Sequence, residues 1–209
     1  MSKVQRRQVL TAGAGLLLGA SAAIPESSHS QEQPETKLKV MVVGAHPDDP
    51  ETGCGGSICR YTDEGHDVVV VYLTRGEGGI AGKSQEEAAA IRTEEAHRAC
   101  AIMKARPCFL EQIDGETEIN ARRYSAFQKV VDEEKPDLCF THWPIDTHRD
   151  HRVASVLAYD AWLCTGKAYP LYYYEVLTGA QSQNFHPTNY IDITGTESRK
   201  RQACSAHAS

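Results

Sequence analysis

The stretch KLKVMVVGAHPDDPE, residues 37–51, decides the fold of this chain. Its first part, Lys37–Ala45, is rich in valine and follows a polar segment, which predicts a buried strand. Its second part, His46–Glu51, places an imidazole and three carboxylates directly after that strand. In open parallel sheets, ligands bind at the carboxyl ends of the strands. The stretch therefore predicts a central strand followed by a candidate functional loop.

Strands and helices are predicted to alternate along the rest of the chain. The predicted strands are Lys37–Ala45, Asp67–Leu73, Cys108–Glu111, Leu138–His142 and Tyr172–Val176. The predicted helices are Ser57–Asp63, Glu86–Lys104, Ala121–Glu134, Val153–Leu163 and Glu197–His207. Such alternation predicts an α/β fold, Rossmann-like and three-layered, in which helices cover both faces of a mostly parallel sheet.

The composition is that of a mildly acidic globular protein. The 209 residues include 22 Lys and Arg against 28 Asp and Glu, which gives a formal charge of −6, and 41% of residues are hydrophobic. This balance argues against a non-specific nucleic-acid binder and against a disordered chain. The seven cysteines are an odd number and contain no C-x-x-C pair, so they do not indicate a cysteine-based zinc or redox site.

The amino-terminal residues resemble an export signal. The pair Arg6-Arg7 precedes the uncharged, Gly- and Ala-rich run Val9–Pro25, as in a Tat leader, which predicts export to the periplasm. An uncleaved signal anchor is the less favoured alternative, because a spanning helix needs about 20 apolar residues. We thus expect a signal peptide (1–26), a polar linker (27–36) and one domain (37–209).

Two clusters of His and Asp follow predicted strands. They are His46–Glu51 and Asp146–Arg152. A catalytic zinc ion takes three protein ligands and leaves one position for water. Each cluster alone also has a simpler interpretation: Pro47 and Pro50 around two Asp can form a turn and a helix N-cap, and His148 can lie on a charged surface. Two clusters at the ends of two predicted strands favour a metal site.

Four segments carry a resemblance to a known family. Residues 45–51 (AHPDDPE), followed by Gly53-Cys54-Gly55-Gly56, resemble the signature of the LmbE/PIG-L family of zinc-dependent N-acetylglucosaminyl deacetylases. Residues 73–79 (LTRGEGG), 91–96 (IRTEEA) and 148–152 (HRDHR) are similar to later segments of that family, in the same order. Members of the family are often longer, so we expect this chain to lack part of the carboxyl-terminal region.

The resemblance implies a metal centre. Its ligands to Zn²⁺ would be His46, Asp49 and His151. Zinc is favoured by the ligand types, although other divalent first-row metals suit the same set.

The resemblance also implies roles for residues around the metal. Asp48 would be the general base, and His148, oriented by Asp150, would sit beside the substrate carbonyl. Arg92 matches an arginine of the family that contacts substrate. Its alternative role is an ion pair with Glu95 on the helix surface.

The implied function is hydrolysis of an N-acetyl group from an N-acetylglucosamine-type sugar or conjugate by metal-activated water. The alternatives are a metal-dependent hydrolase of another class, such as a phosphoesterase, and a non-catalytic carbohydrate-binding protein of the same fold. The expected partner is a small-molecule or glycoconjugate substrate. Nucleic acid is not an expected partner, and we expect no stable membrane span in the mature form.

Overall fold

The fold is described by a computed structural model for residues 37–177 and 180–209. These residues belong to one unit that extends from Thr36 to Ser209. The predicted signal peptide (1–26) and polar linker (27–36) lie outside the described residues.

Strands and helices alternate along the described chain, as the sequence predicts. The strands are β1 (Lys39–Gly44), β2 (Asp67–Tyr72), β3 (Arg106–Phe109), β4 (Leu138–His142) and β5 (Leu171–Tyr174). The helices are α1 (Asp49–Asp63), α2 (Gln85–Met103), α3 (Ala121–Glu134), α4 (Arg149–Cys164) and α5 (Glu197–Cys204).

The five strands form one sheet in the order β3-β2-β1-β4-β5, and every neighbouring pair is parallel. The chain moves from β1 to β2 and β3 on one side and then returns to place β4 on the other side of β1. Val40 of β1 lies opposite Leu138 of β4, and Val42 lies opposite Phe140. This reversal is the topological switch point, where open α/β sheets form their binding crevice.

Helices cover both faces of the sheet and complete three layers. Alternate residues of β1 point to opposite faces, so Val40 and Val42 pack with α1, α2 and α5, whereas Met41 and Val43 pack with α3 and α4. The predicted three-layer α/β fold is therefore confirmed. Within residues 37–177 and 180–209, no helix has both the length and the apolar character needed to cross a bilayer.

Two helices begin earlier than the sequence predicts. α1 begins at Asp49 rather than Ser57, and α4 begins at Arg149 rather than Val153. In both cases the second part of the polar cluster after the strand forms the first turn of the helix, and the residue before it is the N-cap. The same residues therefore cap the helices and carry the candidate chemistry.

Candidate metal centre and active site

The two predicted clusters meet at the switch point of the sheet. The β1–α1 turn supplies His46 and Asp49, and the first turn of α4 supplies Asp150 and His151, all of them buried. His148, at the N-cap of α4, is half-buried beside them. All of the residues implied as metal ligands lie in this crevice.

The β1–α1 turn is tight and strained. Asp48 occupies the N-cap of α1 with φ 109° and ψ −30°, a conformation that is costly for a residue with a side chain. The side chain of Asp49 contacts the backbone at the start of the turn, where its Oδ2 accepts a hydrogen bond from the His46 amide at 2.9 Å. Gly44 permits the turn, because a Cβ there would lie 2.6 Å from the ring of Pro50.

The Asp49 carboxylate lies close to both of the implied imidazole ligands. Asp49 Oδ2 lies 3.1 Å from His46 Nδ1 and 3.3 Å from His151 Nε2. Ligand atoms of a tetrahedral zinc site are about 3.3 Å apart, given metal–ligand bonds of about 2.0–2.1 Å. Each of these two separations, together with the N/O donor types, suits metal coordination.

The second ring nitrogen of each of these histidines faces a carboxylate. His46 Nε2 lies 3.1 Å from Asp114 Oδ1 and 3.2 Å from Asp150 Oδ2. His151 Nδ1 lies 3.2 Å from Asp146 Oδ1. Metal-binding histidines usually have such an outer carboxylate, which fixes the tautomer and the ring orientation.

Burial and charge act in opposite directions on these groups. Burial disfavours protonation of His46, but hydrogen bonds to Asp114, Asp150 and Asp49 outweigh it and raise its pKa well above the ordinary value. Burial also disfavours the charged form of Asp49, which by itself would raise its pKa. The neighbouring His142, together with His151 and His46, nevertheless holds the pKa of Asp49 well below its ordinary value. A ring of imidazoles therefore keeps Asp49 ionised.

The side chain of Asp48 forms an ion pair with Arg92. Arg92 Nη2 donates to Asp48 Oδ2 at 2.7 Å and to the Pro47 carbonyl at 2.5 Å. The alternative ion pair with Glu95 does not form; Glu95 instead accepts hydrogen bonds from the backbone of residues 208 and 209. Burial and the charge of Asp49 raise the pKa of Asp48 to about 6, and Arg92 opposes that rise.

The glycine-rich loop after β2 makes room for Arg92. A Cβ at Gly76 would lie 2.8 Å from Arg92 Nε, and a Cβ at Gly79 would overlap Nη1. Gly76 also has φ +71°, in the left-handed region. Residues 73–79, one of the four segments that resemble the family, therefore form a loop that packs closely around the Arg92 guanidinium.

His148 and Asp150 are arranged differently from the implied pairing. His148 Nδ1 accepts a hydrogen bond from the Asp150 backbone amide at 3.3 Å, because His148 is the N-cap of α4. The Asp150 carboxylate instead contacts His46 and accepts from Thr117 Oγ1 at 2.6 Å and from the Gly115 amide at 2.7 Å. Burial, followed by the charge of His46, lowers the pKa of His148. The neutral ring therefore has its proton on Nε2.

The sequence does not single out Asp114, and it gives no individual role to His142 or to Asp146 within the cluster Asp146–Arg152. His142 Nε2 accepts from the Ala45 amide at 3.0 Å and lies 3.4 Å from Asp49 Oδ2, and its ring stacks on that of His151. Their position in the chain is the feature that could have identified two of these residues from the sequence. His142 ends β4 and Asp114 follows β3, both at the carboxyl edge of the sheet.

The described residues contain three overlapping groups able to hold a metal ion. They are His46, His148 and His151; His46, Asp114, His148 and Asp150; and Asp49, His142 and His151. The implied ligands are divided among these groups rather than forming one of them. The cluster as a whole is able to bind a metal.

Comparisons with known proteins show a family match and relatives of the same fold. The family model described as PIG-L, GlcNAc-PI de-N-acetylase, matches residues 41–162. Diacetylchitobiose deacetylase of Thermococcus kodakarensis is 34% identical over 131 residues, which are 59% of this chain and 48% of that protein. This chain thus spans about half the length of that relative.

Two solved structures have the same fold. N,N′-diacetylchitobiose deacetylase from Pyrococcus horikoshii matches with a TM-score of 0.71 and 25% identity, over 83% of this chain and 70% of that one. GalB, the 4-carboxy-2-hydroxymuconate hydratase of Pseudomonas putida, matches with a TM-score of 0.74 and 24% identity, over 82% and 79%. The second likeness concerns the fold alone, so the reaction must be argued from the site.

Proposed function

Because this chain belongs to the PIG-L family of GlcNAc-PI de-N-acetylases, we propose that it is a zinc-dependent N-deacetylase of N-acetylglucosamine-type sugars or conjugates. The observation that carries the proposal is the position of Asp48. Its carboxylate directly precedes the donor Asp49 in the chain and is held by Arg92 at 2.7 Å. A carboxylate fixed beside a metal centre is suited to act as a general base.

His46, Asp49 and His151 would hold the metal, since Asp49 Oδ2 lies 3.1 Å and 3.3 Å from the two imidazoles, whose second ring nitrogens each face a carboxylate. A divalent metal bound there would lower the pKa of a water molecule and polarise the acetyl carbonyl.

Asp48 would move the proton. With a pKa raised to about 6, it is mostly ionised at neutral pH and yet basic enough to take a proton from the attacking water. As the amide C–N bond breaks, Asp48 returns that proton to the departing amine, and acetate is the other product. Arg92 keeps the carboxylate in place throughout.

His148 would stabilise the oxyanion. Its Nδ1 already accepts a hydrogen bond from the Asp150 amide, so the neutral ring donates from Nε2. A positioned neutral donor suffices for this role. Removal of one such donor typically costs about 3 kcal/mol in the transition state.

The substrate class is proposed from the family and from the similarity to diacetylchitobiose deacetylases. The test is a screen for acetate release over N-acetylated amino sugars with wild type and Asp48→Ala, after metal analysis of both. We expect metal in both proteins and acetate release from the wild type alone.

Three results would count against the proposal. An Asp48→Ala protein with bound metal and full activity would refute the general base. Phosphate release without acetate release would favour a phosphoesterase, and a wild type without stoichiometric metal would favour a carbohydrate-binding protein.

We also propose that residues 1–26 act as a Tat-type signal. The support is the pair Arg6-Arg7 before an uncharged run. A reporter fused to this leader should be exported, and replacing both arginines by lysine should abolish export. Export that survives the double replacement would contradict the proposal.

A further inference from the structure

Glu51 is a buried carboxylate that the proposed chemistry does not use. It lies in the first turn of α1 and is completely buried, with 0% of its surface exposed. A carboxylate is rarely buried to this extent unless specific partners satisfy it. Its partners therefore indicate what it does.

Two oxygens of Glu51 connect the helix start to the sheet. Oε1 accepts a hydrogen bond from the Tyr72 hydroxyl at 2.5 Å and lies 3.2 Å from His207 Nε2. Oε2 accepts from the Asp48 backbone amide at 3.2 Å. Tyr72 is the last residue of β2 and is itself fully buried, so it anchors Glu51 to the rigid centre of the sheet.

The backbone that Glu51 holds is the strained one. Asp48 has φ 109°, which a residue with a side chain adopts only when its surroundings impose it. Arg92 holds the carboxylate of Asp48, while Glu51 holds its amide. Each contact fixes one end of the residue, and both are needed to define the direction of the Cα–Cβ bond.

We propose that Glu51 is a positioning residue for Asp48: supported by Tyr72, it keeps the strained Asp48 backbone in the conformation that directs the carboxylate at the reacting water. This inference rests on the proposed role of Asp48. Without Glu51, the Asp48 amide loses its acceptor and φ can relax toward an ordinary helix-cap value. The Asp48 carboxylate then leaves its productive position, although the three metal donors are untouched.

The test compares Glu51→Ala with a matched control. Glu87 occupies the same capping position in α2, where its Oε2 accepts from the Ser84 amide at 3.0 Å, but it is exposed. Glu87→Ala therefore removes a cap of the same kind without touching the site. We expect Glu51→Ala to lower kcat about a hundredfold at unchanged metal content and KM, whereas Glu87→Ala leaves kcat unchanged.

Two further variants keep the inference falsifiable if Glu51→Ala folds poorly. Glu51→Gln retains an oxygen for the Asp48 amide and should recover most of the lost kcat. Tyr72→Phe removes only the hydroxyl that supports Glu51 and should lower kcat by about tenfold, because it loosens Glu51 without removing it. A Glu51→Ala or Tyr72→Phe enzyme with the wild-type kcat per bound metal would overturn the inference.

A readout independent of activity separates this inference from the proposed function. The Asp48 amide should exchange its hydrogen about tenfold faster in Glu51→Ala than in wild type, because its acceptor is gone. If wild type releases no acetate from any sugar, the proposed function fails, while faster exchange still supports the contact. Unchanged exchange in Glu51→Ala would overturn the positioning role whatever the activity.

Discussion

Replacing Gly79 by alanine tests whether the glycine-rich loop after β2 serves to hold Arg92 against Asp48. A Cβ at position 79 would overlap Arg92 Nη1 and lie 3.0 Å from Cζ. These atoms are the far end of a flexible side chain, and no positive φ is involved, so the guanidinium can swing aside with little distortion of the backbone. The expected damage therefore falls on the Arg92–Asp48 contact rather than on the fold.

The size of the effect follows from that contact. A hydrogen bond to a charged group contributes about 1.5–3 kcal/mol. Since 45% of the Asp48 side chain is exposed, solvent screening reduces this to about 1–2 kcal/mol. We therefore expect kcat/KM for acetate release to fall by about 5- to 30-fold. The melting temperature and the metal content should stay close to wild type.

Gly195→Ala is the matched control. A Cβ there meets no heavy atom within 4 Å, and Gly195 has no positive φ, so its activity should remain that of wild type. Combining Gly79→Ala with Arg92→Ala should add no further loss, because both changes remove one interaction. If Gly79→Ala retains full kcat/KM while Arg92→Ala does not, or if the two losses are additive, the loop does not serve to hold Arg92 against Asp48.

Two other regions give independent predictions. Thr117→Val removes the 2.6 Å hydrogen bond to the Asp150 carboxylate and should weaken metal affinity about tenfold in a chelator competition; unchanged affinity would show that Asp150 does not act through His46. Hydrogen bonds from Arg199 and Lys104 lower the pKa of Asp63 to about 2. Since the folded-state pKa lies below the unfolded one, the stabilisation is present above about pH 4 and is lost as the pH falls toward 2. The melting temperatures of wild type and Asp63→Asn should thus differ at neutral pH and converge near pH 2, and a constant difference would contradict this assignment.

The three central strands, β1, β2 and β4, were predictable because they are buried on both faces. β2 is an almost unbroken valine run, and β4 matches its predicted bounds, Leu138–His142. A strand covered by helices on each side must be continuously apolar, so composition alone identifies it. The positions of the two main loops then follow from the rule that parallel strands deliver ligands at their carboxyl ends.

The start of α1 was mispredicted for a tertiary reason. Glycines are poor helix formers, so the Gly-rich segment before Ser57 suggests a loop. In the fold, Gly53 packs against Tyr174, and a Cβ at Gly56 would lie 2.6 Å from Ile193. Close packing against β5 and the segment before α5 therefore requires glycine within the helix, and local propensity carries no information about that contact.

Asp114 was missed because its role depends on a contact between distant segments. Asp114 stands alone after a short edge strand, without a second His or Asp nearby in sequence to mark it. It reaches His46 at 3.1 Å only because the sheet order places the β3 loop beside the switch point. Outer partners of metal ligands are in general set by the fold and not by a local motif.

The structure also changes how the two interpretations of His46–Glu51 should be weighed. In the sequence, a turn with a helix cap and a catalytic loop are competing explanations. In the fold they are one arrangement, because Asp48 is both the N-cap of α1 and the carboxylate held by Arg92. In this cap Glu51 accepts the Asp48 amide, and in our proposal the same contact maintains the φ of 109° that directs the carboxylate. At a switch point, therefore, evidence for a structural role is not evidence against a catalytic one, since the helix start is what positions the functional groups.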